Sequence, residues 1–342
     1  MATGMDWLAL DVGGANLKAA DGRGYGDSRP FALWQQPQQL AAQLADLLAD
    51  APRREGVALT MTGELADCYR TKAEGVRAIV AATCAAAESR PVRVYLTSGE
   101  LVAPDDARER PLAAAASNWH ALARFAARLL GGGRGLSIDV GSTTTDVIPI
   151  VDGWPQTAGA TDPERLAAGE LLYTGVARSP LCGLVHSLPW RGQSCPVALE
   201  WFATTGDVYC LLGHLPENSH ATHTADGRPA TREFAHERLA RMVCADRELF
   251  DVDDARAAAV AVEAAQREQL TAAIERQLLR LGDEPMQVVV SGQGEFLARR
   301  AVAACRRGGV TSIVSLNEQL GPMLSQCATA HALAVLAREG AP

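Results

Sequence analysis

Short apolar runs alternate along the chain with longer segments in which apolar residues recur every three or four positions. The runs predict buried β-strands, and the longer spacing predicts amphipathic helices. Strands are expected at residues 8–11, 17–20, 57–61, 92–97, 136–139, 147–151, 288–290 and 312–316. Helices are expected at residues 38–48, 75–88, 113–130, 196–212, 254–281, 296–305 and 323–338. This alternation predicts an α/β fold.

The segment LALDVGGANLK at residues 8–18 aligns without gaps to LSIDVGSTTTD at residues 136–146. Each copy has the pattern of a β-hairpin, with an apolar strand, a glycine-containing turn and a second strand. An internal repeat outranks any single motif as an indication of architecture. It predicts two similar lobes, residues 1–133 and 134–342, with an insertion at residues 154–232 of the second lobe. It leaves open whether the C-terminal helix returns to the first lobe.

Composition narrows the classes of protein to which the chain can belong. Its 342 residues include 32 basic and 40 acidic ones, which gives a formal net charge of −8, and 48% are hydrophobic. A large core is therefore expected, and the acidic balance argues against a nucleic-acid or anionic-membrane binder. The first residues lack a secretory signal, no apolar run reaches the ~20 residues that span a bilayer, and the eight cysteines form no CxxC pair. We expect a cytoplasmic protein with reduced thiols.

The two glycine-containing turns are candidate phosphate sites. Backbone N–H groups of a tight turn can cradle phosphate oxygens, and glycine lets the backbone approach the ligand closely. Lys18 can contact phosphate or be an exposed strand lysine, and the two turns can also be ordinary hairpins. The candidate phosphate-binding residues are Gly13, Gly14, Asn16 and Lys18 in the first turn, and Gly141, Ser142, Thr143 and Thr144 in the second.

An aspartate stands at the end of the first strand of each hairpin, Asp11 in one copy and Asp139 in the other. A carboxylate in this position can hold Mg²⁺ directly or through water, and the ion neutralises charge on a polyphosphate. The sequence therefore predicts Mg²⁺ as a cofactor. It leaves open which of the two aspartates contacts the metal.

A third glycine-containing turn, SGQGE at residues 291–295, follows a predicted strand and precedes a predicted helix. A helix N-terminus behind glycines suits an anion or a nucleoside. Gly292 and Gly294 are therefore further candidates for phosphate binding. The alternative is a generic strand-to-helix turn.

Three histidines near the end of the predicted insertion, His214, His220 and His223, stand close in sequence to Asp226. These residue types ligate zinc, and His220 and His223 are three positions apart. The surrounding segment is polar and loop-like, and no spacing specifies a fourth ligand. The sequence therefore favours a solvated loop over a zinc site.

The two matching turns, together with the third turn, resemble the acetate and sugar kinase/Hsp70/actin superfamily. The resemblance covers most of the chain outside residues 154–232. It implies two ribonuclease-H-like lobes with phosphate clamped in the cleft between them. Within this superfamily, an ATP-dependent small-molecule kinase, an ATP-driven amidohydrolase and a nucleotide-switched binding module are alternative functions.

A finer resemblance is carried by TMTGELAD at residues 60–67, KAEGV at 72–76, SNW at 117–119, YTGV at 173–176 and SGQGEF at 291–296. These motifs are similar to the hydantoinase/oxoprolinase-like branch, and within it to the tetrahydromethanopterin-linked, aryl-ether-forming synthases of methanofuran biosynthesis. The resemblance implies a transferase that condenses an aminomethylfuran-methyl diphosphate with the phenol oxygen of a tyramine- or tyrosine-derived acceptor, releasing diphosphate. The implied partners are these small molecules, with no nucleic acid and no membrane, and a homodimer is possible.

The implied reaction needs a base or a cation beside the phenol, whose pKa is about 10. Glu64 and Asp67 are candidate bases, although each can instead stabilise a helix N-terminus. Lys72 can hold the phenolate, the diphosphate or an acceptor carboxylate, or it can be a surface lysine. Asp146, which extends the second turn, completes the set of candidate catalytic residues.

Overall fold

The computed structural model describes residues 5–131, 133–282, 284, 286–307 and 309–340. In chain order, the strands are β1 (Trp7–Val12), β2 (Asn16–Ala20), β3 (Gly26–Pro30), β4 (Gly56–Met61), β5 (Val92–Tyr95), β6 (Leu101–Val102), β7 (Arg134–Val140), β8 (Thr145–Val151), β9 (Trp154–Pro155), β10 (Leu171–Leu172), β11 (Ser187–Trp190), β12 (Gln193–Pro196), β13 (Met286–Ser291) and β14 (Val310–Ser315). The helices are α1 (Leu40–Asp50), α2 (Lys72–Ala87), α3 (Pro104–Glu109), α4 (Pro111–Ala114), α5 (Asn118–Ala126), α6 (Asp162–Ala168), α7 (Thr205–Leu211), α8 (Arg232–Met242), α9 (Val252–Leu281), α10 (Glu295–Ala304), α11 (Leu316–Leu320), α12 (Pro322–Gln326) and α13 (Ala328–Arg338).

The first sheet has the strand order β3-β2-β1-β4-β5-β6. β4 is parallel to both β1 and β5, whereas β2, β3 and β6 join the sheet by antiparallel pairing. β1 and β4 are buried along almost their whole length, as expected for strands covered on both faces. Helix α1 packs against α2 and buries Leu40, Leu44, Leu47 and Leu48, which share one helical face.

The second sheet repeats this arrangement, with the order β10-β8-β7-β13-β14 and with β9 paired to β8. β7 is antiparallel to β8 and parallel to β13, just as β1 is antiparallel to β2 and parallel to β4. The two similar lobes predicted from the internal repeat are therefore confirmed, as is the ribonuclease-H-like fold that the superfamily resemblance implies. The exact lobe boundary at residues 133 and 134 stays a prediction.

The register of the two hairpins also matches. Asp11 on β1 faces Lys18 on β2, and Asp139 on β7 faces Asp146 on β8. Parallel pairing places Asp11 beside Thr60 on β4. Both aspartates therefore lie near the carboxyl ends of central parallel strands, the edge at which open α/β sheets usually bind ligands.

Helices α5 and α13 pack against each other between the two sheets. α13 contacts β1, β2 and β4 of the first sheet, and α5 contacts β7 and β8 of the second. Their contact with the first sheet includes small residues such as Ala9, Ala121 and Ala334, which allow close approach. The C-terminal helix thus lies on the first sheet, although it follows the second sheet in sequence.

Some predicted helices differ from those observed. The helix predicted at residues 196–212 is confined to α7, because the side chains of Thr204 and Asp207 form a capping box that starts the helix at Thr205. The helix predicted at 113–130 is interrupted between α4 and α5, where Ala116 has a φ of 46°. The helix predicted at 323–338 is divided into α12 and α13. Part of the predicted insertion, β9 and β10, extends the second sheet.

Candidate functional site

A cleft of about 480 Å³ is formed by residues of both lobes. Both duplicated turns open onto it, so their aspartates share one cavity rather than facing separate surfaces. The predicted site residues on its lining are Asp11, Gly13, Gly14, Asn16, Lys18, Glu64, Asp67, Asp139, Gly141, Ser142, Thr143, Thr144 and Asp146. Gly292, Gly294 and Lys72 are not part of this lining.

The two turns close in the same way. The N–H of Gly13 donates to the carbonyl oxygen of Asn16 at 3.0 Å, and the N–H of Gly141 donates to that of Thr144 at 2.9 Å. A Cβ atom on Gly13 would lie 2.9 Å from the Asn16 oxygen, so a larger residue would open the turn. Among the described residues, the N–H groups of Ser142 and Thr143 have no backbone acceptor, which leaves them free to meet an anion.

The carboxylate of Asp11 is buried and held on one side only. Its Oδ2 atom accepts a hydrogen bond from the hydroxyl of Thr329 on α13 and lies 3.8 Å from Nζ of Lys18. Its Oδ1 atom is buried and has no hydrogen-bond partner within the described part of the chain. An unpartnered carboxylate oxygen is costly to bury, so Oδ1 is positioned for a ligand or an ion.

Asp139 has a similar arrangement in the second lobe. Its Oδ1 atom accepts a hydrogen bond of 2.5 Å from the hydroxyl of Ser291, at the end of β13. Burial raises the pKa of Asp139 above its ordinary value, and the negative charge of Asp11 acts in the same direction. A cation bound between the two aspartates would oppose both effects, because its positive charge stabilises the ionised carboxylate of Asp139 and offsets the negative charge of Asp11.

Glu64 is 1% exposed and begins the turn that leads from β4 to α2. Its Oε1 atom lies 3.9 Å from Nζ of Lys72, and its Oε2 atom has no hydrogen-bond partner among the described residues. Burial raises the pKa of Glu64 to about 7, against the opposing charge of Lys72 and with the help of Asp162. A carboxyl group with this pKa can accept a proton near neutral pH.

The other candidate catalytic residues have different surroundings. Asp67 is exposed at the edge of the cleft. Lys72 begins α2 and pairs with Asp162, at 2.5 Å between Nζ and Oδ2. Asp146 forms an ion pair with the buried Arg165, and burial raises the pKa of Asp146 to about 6 despite that cation. Of the four candidate catalytic residues, Glu64 is the one that combines burial, a position on the cleft lining and an oxygen without a hydrogen-bond partner among the described residues.

Gly292 and Gly294 lie behind the second hairpin, where they pack against the end of β7. A Cβ atom on Gly292, whose φ is +86°, would lie 2.4 Å from the Val140 oxygen, and one on Gly294 would lie 2.4 Å from the Val140 side chain. The N–H of Gly294 donates to the Val140 oxygen at 2.8 Å. These contacts support the packing alternative, in which the two glycines bring β13 and α10 close to the turn.

Sequence reasoning missed that the repeat extends to the third turn. TMTGEL at residues 60–65 aligns without gaps to SGQGEF at 291–296, so Glu64 and Glu295 are equivalent positions of the repeat. The N–H of Gly63 donates to the Val12 oxygen at 2.9 Å, as that of Gly294 does to Val140. The spacing of the two glycine–glutamate pairs from their strands could have revealed this.

Several cleft residues carried no local sequence signal. Thr329, Asp162 and Arg165 reach the cleft from helices that are distant in sequence from the two turns.

Apolar and aromatic side chains also lie on the lining of the cleft, and three of them are largely exposed: Leu65 at 56%, Tyr173 at 65% and Trp201 at 54%. Arg178 lies over the ring of Trp34, 4.9 Å from its centroid, and joins the two lobes at the cleft.

The donors of the cleft fit magnesium better than zinc. The described residues contain no cluster of three or more His, Cys, Asp and Glu side chains that could hold a metal. Mg²⁺ usually takes only one or two carboxylates from a protein and the remaining oxygens from substrate phosphates and water. Asp11 and Asp139, with the orphaned Oδ1 atom of Asp11, could hold such an ion.

Residues 55–339 match the family model of hydantoinase/oxoprolinase. The chain belongs to the hydantoinase/oxoprolinase family. The chain is 35% identical over 252 residues to the (4-{4-[2-(gamma-L-glutamylamino)ethyl]phenoxymethyl}furan-2-yl)methanamine synthase of Methanocaldococcus jannaschii, covering 72% of this chain and 74% of that protein. The synthase of the same name from Methanococcus vannielii is 29% identical over 199 residues, covering 58% of this chain and 88% of that protein. The resemblance predicted from the sequence motifs is confirmed.

This member of the hydantoinase/oxoprolinase family also has solved structural neighbours. The activator of the 2-hydroxyisocaproyl-CoA dehydratase from Clostridium difficile, with bound ADPNP, is 13% identical, with a TM-score of 0.43. That match covers 98% of this chain and 96% of the activator. Component A of the (R)-2-hydroxyglutaryl-CoA dehydratase from Acidaminococcus fermentans is 14% identical, with a TM-score of 0.44, covering 98% of this chain and 99% of that protein.

The histidines of the predicted insertion do not converge. His214 stacks on Phe296 with 4.3 Å between ring centroids, whereas His220 and His223 are exposed. Asp226 is engaged by Arg228 and Arg238. Across the described ranges, no helix has the length and apolar character needed to cross a bilayer.

Replacement of His220 by alanine is expected to leave activity and stability almost unchanged. The side chain is exposed, and substitutions at such positions usually change the free energy of unfolding by less than about 0.5 kcal/mol. Enzyme assay, thermal melting and zinc analysis of the purified variant check this expectation. A loss of bound zinc together with activity would contradict it.

Replacement of Gly75 by alanine in α2 is expected to destabilise the first lobe. A Cβ atom there would lie 2.2 Å from the backbone oxygen of Glu64, so either α2 or the Glu64 turn must shift. Overpacking of this kind costs about 1–3 kcal/mol. The melting temperature and activity should both fall. Gly24→Ala is the matched control, because a Cβ atom on Gly24 meets nothing within 4 Å, and it should melt like the wild type.

Proposed function

We propose that this protein joins a furanmethyl group to a phenol. The donor is an aminomethylfuran-methyl diphosphate, the acceptor is a tyramine- or tyrosine-derived phenol, and the products are an aryl alkyl ether and diphosphate. The names of the two related synthases contain the phenoxymethyl-furan group that such a reaction makes. The observation that carries the proposal is that both aspartate turns and the buried Glu64 line the same cleft.

The diphosphate group belongs between the two turns, which both line the cleft. There the turn N–H groups and Lys18 can neutralise negative charge, which grows on the diphosphate as it leaves. Asp11 and Asp139 would hold Mg²⁺, which, when bound, neutralises further charge on the leaving group. These donors stabilise the transition state more than the bound substrate, since the charge on the leaving oxygen increases during the reaction.

The two rings of the substrates belong against the apolar and aromatic side chains of the cleft lining. Trp34, Leu65, Tyr173 and Trp201 are lining residues with flat or apolar faces, and aromatic rings stack favourably on such surfaces. Three of them, Leu65, Tyr173 and Trp201, are largely exposed, which leaves room for an extended acceptor.

In the proposed step, the bond between the furanmethyl carbon and the diphosphate oxygen breaks, and the diphosphate leaves with the electron pair. The phenol oxygen forms a new bond to the same carbon and loses its proton to Glu64. Positive charge develops on the furanmethyl carbon as the diphosphate leaves. The furan ring delocalises this charge, which assists the departure of the diphosphate. The burial of Glu64 suits this role because it raises the affinity of the carboxylate for the phenol proton.

The direct test is to mix the protein, Mg²⁺, the furanmethyl diphosphate and tyramine or γ-glutamyltyramine. Mass spectrometry should detect the ether, and a coupled assay should detect one diphosphate for each ether. Absence of both products would refute the proposal. A parallel reaction with ATP in place of the diphosphate distinguishes the kinase and amidohydrolase alternatives, which require formation of ADP.

A further inference from the structure

The two lobes are joined beside the cleft by an ion pair between the first residues of two helices. Lys72 begins α2 in the first lobe, and Asp162 begins α6 in the second. Nζ of Lys72 lies 2.5 Å from Oδ2 of Asp162, and both side chains are about one-fifth exposed. Partial burial makes this pair stronger than an ion pair on the open surface.

The same ammonium group also lies near Glu64, but farther away. Its distance to Oε1 of Glu64 is 3.9 Å, compared with 2.5 Å to Asp162. The Lys72 ammonium is therefore shared unequally between the two carboxylates. Oε2 of Glu64 is left without a partner among the described residues.

Asp162 is held in place by its own lobe. The side chain of Thr161 and that of Glu164 form a capping box at the start of α6. Arg165 lies 3.6 Å from Asp162, pairs with Asp146 on β8 and lies over the ring of Trp119, 4.1 Å from its centroid. The position of the Asp162 carboxylate is thus set by the second lobe rather than by Lys72.

Three charged side chains surround Glu64. Lys72 lies on α2, Asp162 lies on α6, and the exposed Asp67 lies on the same β4–α2 turn as Glu64 itself. The backbone N–H of Ala116, between α4 and α5, adds a weaker stabilisation of the carboxylate. Lys72 favours the ionised form of Glu64, and Asp162 opposes it both directly and by holding Lys72.

We propose that Asp162 is a positioning residue that draws the Lys72 ammonium away from Glu64 across the junction of the two lobes. This inference rests on the proposed function, in which Glu64 takes the phenol proton. While Asp162 holds Lys72, the Glu64 carboxylate is a stronger base than it would be if Lys72 paired with it directly.

The test follows the protonation of Glu64 directly by infrared spectroscopy. The carboxyl stretching band that Glu64→Gln removes is recorded as a function of pH in the full-length protein without substrates. In Asp162→Asn, the midpoint should fall by about one pH unit or more, since Lys72 is released to Glu64. In Lys72→Met, it should rise by a similar amount, since the carboxylate loses its cation.

Glu74→Gln serves as the control. Glu74 lies in the same first turn of α2 as Lys72 but forms an exposed ion pair with Arg70, so its replacement should leave the protonation midpoint of Glu64 unchanged. Thermal melting establishes that each variant is folded, and Lys72→Met tests the same link if Asp162→Asn is not. Equal midpoints in the wild type and the folded variants would overturn the proposal, as would shifts in the same direction. If the infrared midpoints move in opposite directions but the pH profile of ether formation does not follow them, the placement of Lys72 holds and the base role of Glu64 fails.

Discussion

Asp11→Asn and Asp139→Asn are each expected to lower ether formation by about 100-fold or more, with the fold intact. Each change removes one negative charge from the cation site while keeping the size of the side chain. A 100-fold loss corresponds to about 2.7 kcal/mol of transition-state stabilisation, at 1.36 kcal/mol for each factor of ten. Steady-state release of diphosphate at saturating Mg²⁺ measures the effect.

The two aspartates are expected to act as one unit. The double variant should therefore be little slower than either single variant, because removal of one part of such a site already disables it. Calorimetric titration with Mg²⁺ and diphosphate should show weakened binding in all three proteins. Single variants that keep more than about a tenth of the wild-type rate would argue against a shared cation site.

Glu64→Gln is expected to lower the rate by about 100-fold to 10,000-fold, the range usually contributed by a general base. The pKa of Glu64 is about 7, so the wild-type rate should fall as the pH drops through this value and the carboxylate takes up a proton. The variant should lose this acid limb, since glutamine has no proton to gain. Pre-steady-state measurement of ether formation over a range of pH checks both expectations.

Measurements of stability distinguish a catalytic role of Glu64 from misfolding of the Glu64→Gln variant. Because burial raises the pKa of Glu64 from 4.5 to about 7, the folded protein binds more protons than the unfolded chain between these values. The free energy of unfolding contributed by Glu64 therefore falls as the pH rises through this window. Glu64→Gln removes that cost and should melt no lower than the wild type above pH 7. Asp67→Asn, which changes the exposed carboxylate of the same turn, should retain the acid limb.

The hairpins could be predicted from the sequence because all the information lies in contiguous residues. An apolar strand, a glycine turn and a second strand set the local geometry of each hairpin. The gapless alignment of the segments that contain Asp11 and Asp139 extended that prediction to two similar lobes. The ribonuclease-H-like fold of the lobes, and the cleft between them, were implied by the resemblance to the superfamily rather than by these local patterns.

The surroundings of the cleft could not be predicted in this way. The hydroxyl of Thr329 reaches Asp11 from more than 300 residues away, and Asp162 reaches Lys72 from the other lobe. Such contacts depend on how helices pack, and no local spacing encodes them. The interrupted helix before Asn118 was missed for a similar reason, since its alanine-rich sequence favours a continuous helix while tertiary packing imposes the break at Ala116.

The position of α13 between the sheets has a consequence for biosynthesis. A nascent chain presents the first sheet to the cell long before residues 328–338 leave the ribosome, and domains generally fold as they emerge. The face of β1 that α13 covers must therefore stay bare, or be shielded by a chaperone, until residues 328–338 have been synthesised. Asp11 receives its hydrogen bond from Thr329 only then, so a strand made 318 positions earlier waits for that helix to reach its native surroundings.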